Sequence, residues 1–419
     1  MTIPEPADPY SSGPVLPPRR SQGSEPIRIL SVSDSESYLK WATQLLSTLP
    51  DVEGRVFLID SPILPTDEQI ASAVAGTDWQ HREIPVISRT DLAQIIADHS
   101  PDIVLGAATG PIVAQVFLTA HTRADRPALV SGLPGMGLPA SRKGMNYRRL
   151  MDAFIAHSTA EVGAYTEAST AAQVPCEVLL ARLPMLRSTS VPQVRGSARI
   201  PQSLIFAPQA KVPQSAEERT AIVAALTDFA HRHPESRTVI KLRSRPGEFE
   251  THHEQHSYVE ILDELREQGR PGADRVEFGF GPLDEFLVPG AGLVTVSSTA
   301  ALESIDRGIP TLLISDFGFS AELLNEVFAD SDATGTLAEV AAGSIGFPSP
   351  EWLVRNYFHP VTGALRRHLG LLALRARTGQ LPNRRSAVLR QKRVLIRAEL
   401  RTVTPAPLVR TYRRLRYQR

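Results

Sequence analysis

The chain has 419 residues, which at about 150 residues per domain allows two or three domains; its 42% hydrophobic, 21% charged and 6% aromatic residues exclude a wholly disordered, collagen-like or coiled-coil protein. A single cysteine, Cys176, excludes an internal disulfide framework and any cysteine-rich zinc or iron–sulfur site. Net charge is zero, yet residues 361–419 hold 16 Lys and Arg against one acid, Glu399, leaving 29 basic and 44 acidic residues before them, so a tail of +15 follows a body of −15.

Met1–Pro26 carries seven prolines with Ser and Gly, lacks the basic start and apolar run of a secretory signal, and reads as a disordered leader. Short β-branched runs then alternate with helical spacing. Ile27–Val32, Arg55–Asp60, Asp102–Ala107, Ala128–Val130 and Ala153–Ala156 read as strands. Helices fit Tyr38–Leu49 and Asp91–His99, the latter begun by Thr90 or Asp91 as N-cap. The uncharged run Ile103–Ala120 spans 18 residues, the length at which a membrane span is considered. Gly106, Gly110, Pro111 and Gln115 divide it into a buried strand, a Thr109-Gly110-Pro111 turn and a helix through His121, so no transmembrane helix is expected. The rhythm implies a parallel sheet covered on both faces.

Two loops of this half carry chemistry. The first strand opens into Ser33-Asp34-Ser35-Glu36, where Asp34 is either a helix N-cap or a general base able to take the proton of an attacking hydroxyl. Ser131–Ala140 is too rich in Gly and Pro for helix or strand, and with Arg142, Lys143 and Arg148 behind it can receive an anionic acceptor. No Gly-x-Gly-x-x-Gly joins the first strand to its helix, which disfavours nicotinamide and flavin; no cofactor is expected. His157, closing the Ala153–Ala156 strand, either faces a cleft or serves a helix cap.

Pro184–Pro201 reads as a linker, after which the rhythm restarts. Strands fit Ser203–Ala207, Thr238–Leu242, Arg275–Phe278, Leu293–Val296 and Thr311–Ile314, and helices fit Ala216–His231, Tyr258–Glu267, Ser298–Arg307 and Ala321–Phe328. The expected organisation is a leader (1–26), an acceptor domain (27–190), a linker (191–202), a donor domain (203–360) and a basic helical tail (361–419). Two doubly wound α/β domains joined in this way face a ligand cleft with the carboxyl ends of their sheets. His253-Glu254-Gln255-His256 is one residue short of zincin spacing, and His252 with His256 lacks a third ligand, so no metal is expected.

The sharpest segment runs from Val294 to Pro310. Ser297 and Ser298 stand where a strand gives way to a helix, and their hydroxyls, with the amides of Ser298, Thr299 and Ala300, can hold a phosphate helped by the helix dipole. Glu303, further along the helix, can accept hydrogen bonds from ribose hydroxyls. The competing reading is a serine N-cap with a solvated glutamate.

This segment resembles the donor-phosphate motif of GT-B glycosyltransferases, above all the clan of bacterial polysialyltransferases, capsule sialyl- and Kdo-transferases and CDP-glycerol glycerophosphotransferases. There a Ser-Ser or Ser-Thr turn precedes an Ala-x-x-Glu helix and a Gly-x-Pro. The likeness covers roughly Ser203–Phe328, and over its length the chain is similar to a family of uncharacterised glycosyltransferases found beside sialic-acid-type sugar synthesis. It implies a GT-B fold, a nucleotide-sugar donor, most simply a CMP-linked nonulosonate, and inversion without metal. Within the likeness, Gln209 and Lys211 match the first loop of the donor domain. The clan's Lys-x-His-Pro strand end appears as Lys241-Leu242-Arg243, with Arg243 for the histidine, which keeps a phosphate contact but no imidazole. Gly132, Pro134 and Gly135 match a Gly-Leu-Pro-Gly pattern of the family, assigning them with Arg142 and Arg148 to the acceptor, and Asp34 falls where GT-B enzymes place a catalytic or acceptor loop.

Trp352, Tyr357 and Phe358 resemble the aromatic segment by which GT-B chains return to their first domain. Beyond them, Leu365–Leu374 and Ala387–Leu400 read as basic amphipathic helices suited to anionic lipid, so the expected partners are a nucleotide sugar, a glycan or lipid-linked acceptor of the cell envelope and an anionic membrane surface, in a cytoplasmic protein peripheral on the inner face of the plasma membrane. The same charge asymmetry fits docking of the tail on the acidic body; nucleic acid is disfavoured. The rival functions are a CDP-glycerol-type polyol-phosphate transferase, a nucleotide-sugar epimerase and a noncatalytic scaffold.

Overall fold

The computed structural model of the protein describes residues 25–192, 200–209, 212–242 and 256–403, side chains being described only as far as residue 397 in the last segment. Lys211, Arg243, His252, His253 and all of the leader but its last two residues lie outside the described residues. The amino-terminal half runs β1 (Ile27–Ser33), α1 (Glu36–Ser47), β2 (Val52–Ile59), α2 (Asp67–Val74), β3 (Val86–Ile87), α3 (Leu92–His99), β4 (Ile103–Ala107), α4 (Gly110–His121), β5 (Ala128–Gly132), α5 (Arg142–Tyr147), β6 (Ala153–Ala156), α6 (Thr159–Ala172) and β7 (Glu177–Leu180). Its seven strands are parallel in the order β3-β2-β1-β4-β5-β6-β7. Helices cover both faces, so β4 and β5 are buried along their whole length and read as unbroken apolar or small residues.

The second half contains β8 (Ser203–Phe206), α7 (Ala216–Arg232), β9 (Arg237–Lys241), α8 (Tyr258–Glu267), β10 (Val276–Gly279), β11 (Ala291–Thr295), α9 (Ala300–Asp306), β12 (Thr311–Ile314), β13 (Thr334–Gly335), α10 (Leu337–Ala342) and α11 (Pro350–Arg355). Six parallel strands lie in the order β10-β9-β8-β11-β12-β13. The helix expected over Ala321–Phe328 is absent but for a short 3-10 turn, Glu326–Phe328. Leu324 has φ 57°, a left-handed value that ends any helix, and the buried Asn325 side chain ties the loop to Gly318 O at 3.0 Å and Ser320 N at 3.0 Å.

The basic tail folds into the first half as α12 (Ala364–Arg377) and α13 (Arg385–Val403). Leu365, Leu369 and Leu372, on one stripe of α12, are buried among Ile27, Ile103 and Val130 of the sheet, each contributing roughly 1.5–3 kcal/mol of apolar burial. The α12 stripe expected to meet lipid is therefore consumed by the core. Arg377 grips both oxygens of the buried Asp102 at 2.9 and 2.7 Å, and Arg384 and Arg126 hold the buried Asp152 at 3.3 and 2.8 Å. Burial pushes Asp102 up, but the Arg377 bonds together with those from Arg28 bring it below the usual carboxylate range. α13 lies on the other side of the sheet, against α4 and α5. Among the described residues no helix is long and apolar enough to cross a membrane.

Candidate functional site at two topological switch points

Each sheet reverses its strand order once, between β1 and β4 in the first and between β8 and β11 in the second. A crevice opens beyond the carboxyl ends of the strands at such a point, because the two flanking loops leave toward opposite faces. Asp34 follows β1 and Thr109 follows β4; Gln209 follows β8 and Ser297 follows β11. Asp34 and Ser297 are the sequence's own candidates after their strands, Gln209 is one that the resemblance implies, and Thr109 is neither.

Asp34 is fully buried. Its Oδ2 accepts hydrogen bonds from Thr109, from the amide at 3.0 Å and from the hydroxyl. Thr109 is the N-cap of α4 yet makes no side-chain cap to its own helix, its hydroxyl being turned to Asp34. Asp34 Oδ1 is also buried and has no hydrogen-bond partner among the described residues. Burial pushes the Asp34 pKa up, outweighing the Thr109 bonds that pull it down. The N-cap position of α1 belongs to Ser35 and not to Asp34, which settles that alternative.

Beside Asp34, Tyr38 stands on the first turn of α1, its hydroxyl 3.4 Å from Arg148 Nη2. Arg148, expected to face the acceptor, is buried, and its guanidinium donates to Ser131 Oγ at 2.9 Å, Gly144 O at 3.3 Å and Ala108 O at 3.4 Å. It braces the loops from beneath. Arg142 is exposed at the start of α5. Gly132 closes β5 against an indole, since a Cβ there would sit 2.5 Å from Trp41 Cζ2. His157 neither faces the cleft nor caps a helix: its Nε2 accepts from Trp41 Nε1 at 2.8 Å, its Nδ1 lies 3.0 Å from Ala181 O, and burial holds it below the usual histidine range.

At the second switch point Ser297 Oγ donates to Gln209 Oε1, and Gln209 Nε2 donates to Ser297 O at 2.9 Å, a two-bond clamp between the β8 and β11 loops. Ser298 N donates to Thr295 Oγ1 at 3.3 Å and Ala300 N to Ser298 Oγ at 3.2 Å. Two of the three amides expected to meet phosphate are thus engaged inside the turn, and α9 starts at Ala300, later than the spacing implied. Thr299 is half-buried where the halves meet: a Cβ on Gly135, whose φ is +119°, would lie 3.1 Å from Thr299 Cγ2. Pro134 is half-buried in the same loop, and Lys241 ends β9 half-buried. Burial pushes Glu303 up, opposed first by the Lys40 ammonium of α1 in the other half.

Glu161, which sequence reading passed over, ties these parts together. This buried carboxylate accepts from Gly137 N at 2.7 Å, His157 N at 2.7 Å and Tyr357 Oη at 2.8 Å, so it joins the Ser131–Ala140 loop to the returning aromatic segment. Its sequence signal was Ser158-x-x-Glu161, a helix-start pattern. Tyr38 and Thr109 had no such mark: Tyr38 arrives with the first turn of α1, four residues on, whereas Thr109 is brought to Asp34 by the pairing of β4 with β1.

The arrangement holds a buried carboxylate beneath the first switch point and a buried, clamped serine turn, Ser297 and Ser298, at the second. Solved structures with similar architecture include the Staphylococcus aureus MnaA–UDP co-structure (11% identity, TM-score 0.53, covering 85% of this chain and 98% of that one). The Neisseria meningitidis UDP-GlcNAc 2-epimerase bound to UDP-GlcNAc is similar at 10% identity and TM-score 0.51, with 83% and 100% covered. So is the pneumococcal O-GlcNAc transferase GtfA in complex with UDP and GlcNAc, at 10% identity and TM-score 0.50, with 90% and 98% covered. No curated protein sequence matches. The fold is GT-B: two parallel-sheet, Rossmann-like α/β domains. Residues 29–371 match the model of the family described as "Putative glycosyltransferase (DUF6716)", and the chain belongs to that family.

Proposed function

We propose that the protein is a glycosyltransferase that moves a sugar from a nucleotide donor, held at the second switch point, to a hydroxyl of a cell-envelope glycan or lipid-linked glycan entering the first. The observation that carries this reading is the buried Asp34 with its one unpaired oxygen at the β1–β4 crevice. As the acceptor oxygen bonds to the anomeric carbon, its proton passes to Asp34 Oδ1, and the bond from that carbon to the donor phosphate breaks with its electron pair on the phosphate oxygen. A single displacement of this kind inverts the anomeric centre. The charge developing on the phosphate is met by Ser298, Thr299, Lys241, Lys211 and Arg243 instead of a metal, the Gln209–Ser297 clamp holds the turn in place, and Glu303 faces the ribose. Gly132, Pro134, Gly135 and Arg142 border the acceptor side, with Arg148 fixing the floor beneath Asp34. Within residues 361–419, the cations that the core leaves exposed keep the enzyme at an anionic membrane surface.

The Ser-Ser motif supports a CMP-linked nonulosonate donor; the UDP in the similar structures supports a UDP-linked one. A thermal-shift series with CMP, CDP, UDP and GDP separates them, because a ligand at 100 times its Kd stabilises the folded form by about 2.7 kcal/mol. One nucleotide raises Tm on this proposal; a flat response to all four contradicts it. The similar epimerases favour a second reading, sugar-nucleotide epimerisation, for which product analysis without acceptor yields an isomerised donor and not free nucleotide.

A further inference from the structure

Five of the ten large hydrophobic side chains most exposed among the described residues fall between Val361 and Ile396, the segment that also holds no acid. On α13 the inner stripe is Ala387, Gln391, Val394 and Leu395, all buried or half-buried. Its outer face, at helical spacing, carries Arg385, Leu389, Lys392, Arg393, Ile396 and Arg397, with Leu389 64% and Ile396 55% exposed. α5 packs against α13 and begins with the exposed Arg142 and Lys143. Arg149, half-buried just beyond α5, donates to Ala172 O at 3.1 Å and to Asn146 Oδ1, and burial, then the like charges of Arg390 and Arg142, hold its guanidinium below its usual range. Exposed cations of two packed helices thus lie on one side of the molecule, and among the described residues Arg390 hydrogen-bonds to the neutral Gln173 Oε1 at 3.2 Å.

We infer that the outer face of α13, continued by α5, seats the protein on an anionic lipid bilayer, with Leu389 and Ile396 entering the acyl boundary and Lys392, Arg393 and Arg397 meeting lipid phosphates. Charge complementarity and the interleaved aliphatic side chains argue together: a nucleic acid would satisfy the cations but leave both aliphatic side chains in water, and none of the exposed side chains of α13 among the described residues is an aromatic ring on which bases could stack. α5 follows directly from the Ser131–Ala140 loop, so the seat lies on the acceptor side of the cleft. That it presents a lipid-linked acceptor to Asp34 rests on the transferase reading; the binding does not.

The test is co-sedimentation of the full chain at low salt with phosphatidylcholine vesicles, with and without roughly 30% phosphatidylglycerol. Binding is expected only to the anionic vesicles. At about fivefold in affinity per surface cation, a Lys392→Gln/Arg393→Gln/Arg397→Gln variant binds on the order of 100-fold more weakly, and Leu389→Ser/Ile396→Ser at unchanged charge binds at least ~10-fold more weakly. A ligand-free Tm and far-UV circular dichroism spectrum equal to those of the unaltered chain report that each variant is folded, and because neither needs nucleotide, a failure here stays separate from failure of the transferase reading. Equal affinity for both kinds of vesicle, undiminished binding by the cation variant, or tighter binding to a DNA duplex than to anionic vesicles with no effect of the aliphatic pair would overturn the proposal.

Discussion

The two switch points share a topology and differ in chemistry. Each joins the loop after a central strand to the loop of its crossover neighbour through side-chain hydrogen bonds, Asp34 to Thr109 in the first half and Ser297 to Gln209 in the second. The second clamp is neutral and mutually satisfied, a rigid wall against which a charged group can be placed. The first holds a buried carboxylate with one oxygen bonded twice and the other unpaired among the described residues. Burying an unpaired polar group costs free energy, whereas the amide–hydroxyl clamp stabilises the domain. The same architecture thus holds an under-bonded carboxylate on one side and a fully paired amide–hydroxyl clamp on the other.

The largest expected effect breaks the asymmetry at its reactive end. Asp34→Asn keeps the shape and removes the base, so glycosyl transfer falls by roughly 10²–10⁴. Stability moves the other way. A carboxyl whose pKa is raised on folding binds protons more readily in the folded state, so stability is lost as pH rises from the ordinary carboxylate value, about 3.9, through the raised one. The variant escapes this loss, and its Tm relative to the unaltered protein rises between pH 4 and pH 8 in a thermal scan. At the other mouth Gln209→Leu reverses the pattern: Ser297 loses its acceptor, stability falls by about 1–3 kcal/mol in urea titration, and nucleotide affinity falls with it while the pH profile stays. Thr109→Val is smaller. Without the hydroxyl, Asp34 titrates higher still, and the acid limb of kcat/KM shifts to higher pH, with Thr109→Ser restoring it. Gly135→Ala is expected to be smallest, a strain of about 1 kcal/mol from the positive φ and a methyl against Thr299, visible as weaker donor binding.

Much of this was legible in the letters. The spans Ala153–Ala156, Tyr258–Glu267 and Thr311–Ile314 match the strands and helix that form, because alternation and capping are local. β3 and β13, two residues each, offered no period to read, and β7 lies at a sheet edge. Asp34 and Ser297 stood out by residue type after a strand, and Gln209 through the resemblance of the loop after β8. Thr109 did not, since its role depends on β4 lying beside β1, a neighbourhood fixed by long-range packing. Arg148 shows the opposite error: a cation behind a glycine loop reads as surface, yet Ser131 and Ala108 draw it inward. The amphipathic pattern of α12 was real, but such a pattern names an apolar stripe without naming what covers it.

The central claim, that one mouth grips the nucleotide and the other performs the proton transfer, is tested most directly by measuring nucleotide affinity and nucleotide release from the matching sugar donor in Asp34→Asn beside the unaltered protein. The account predicts equal affinity in the two and release that collapses in the variant. Release undiminished in Asp34→Asn, or nucleotide binding lost along with it, would contradict the division of labour between the two crevices.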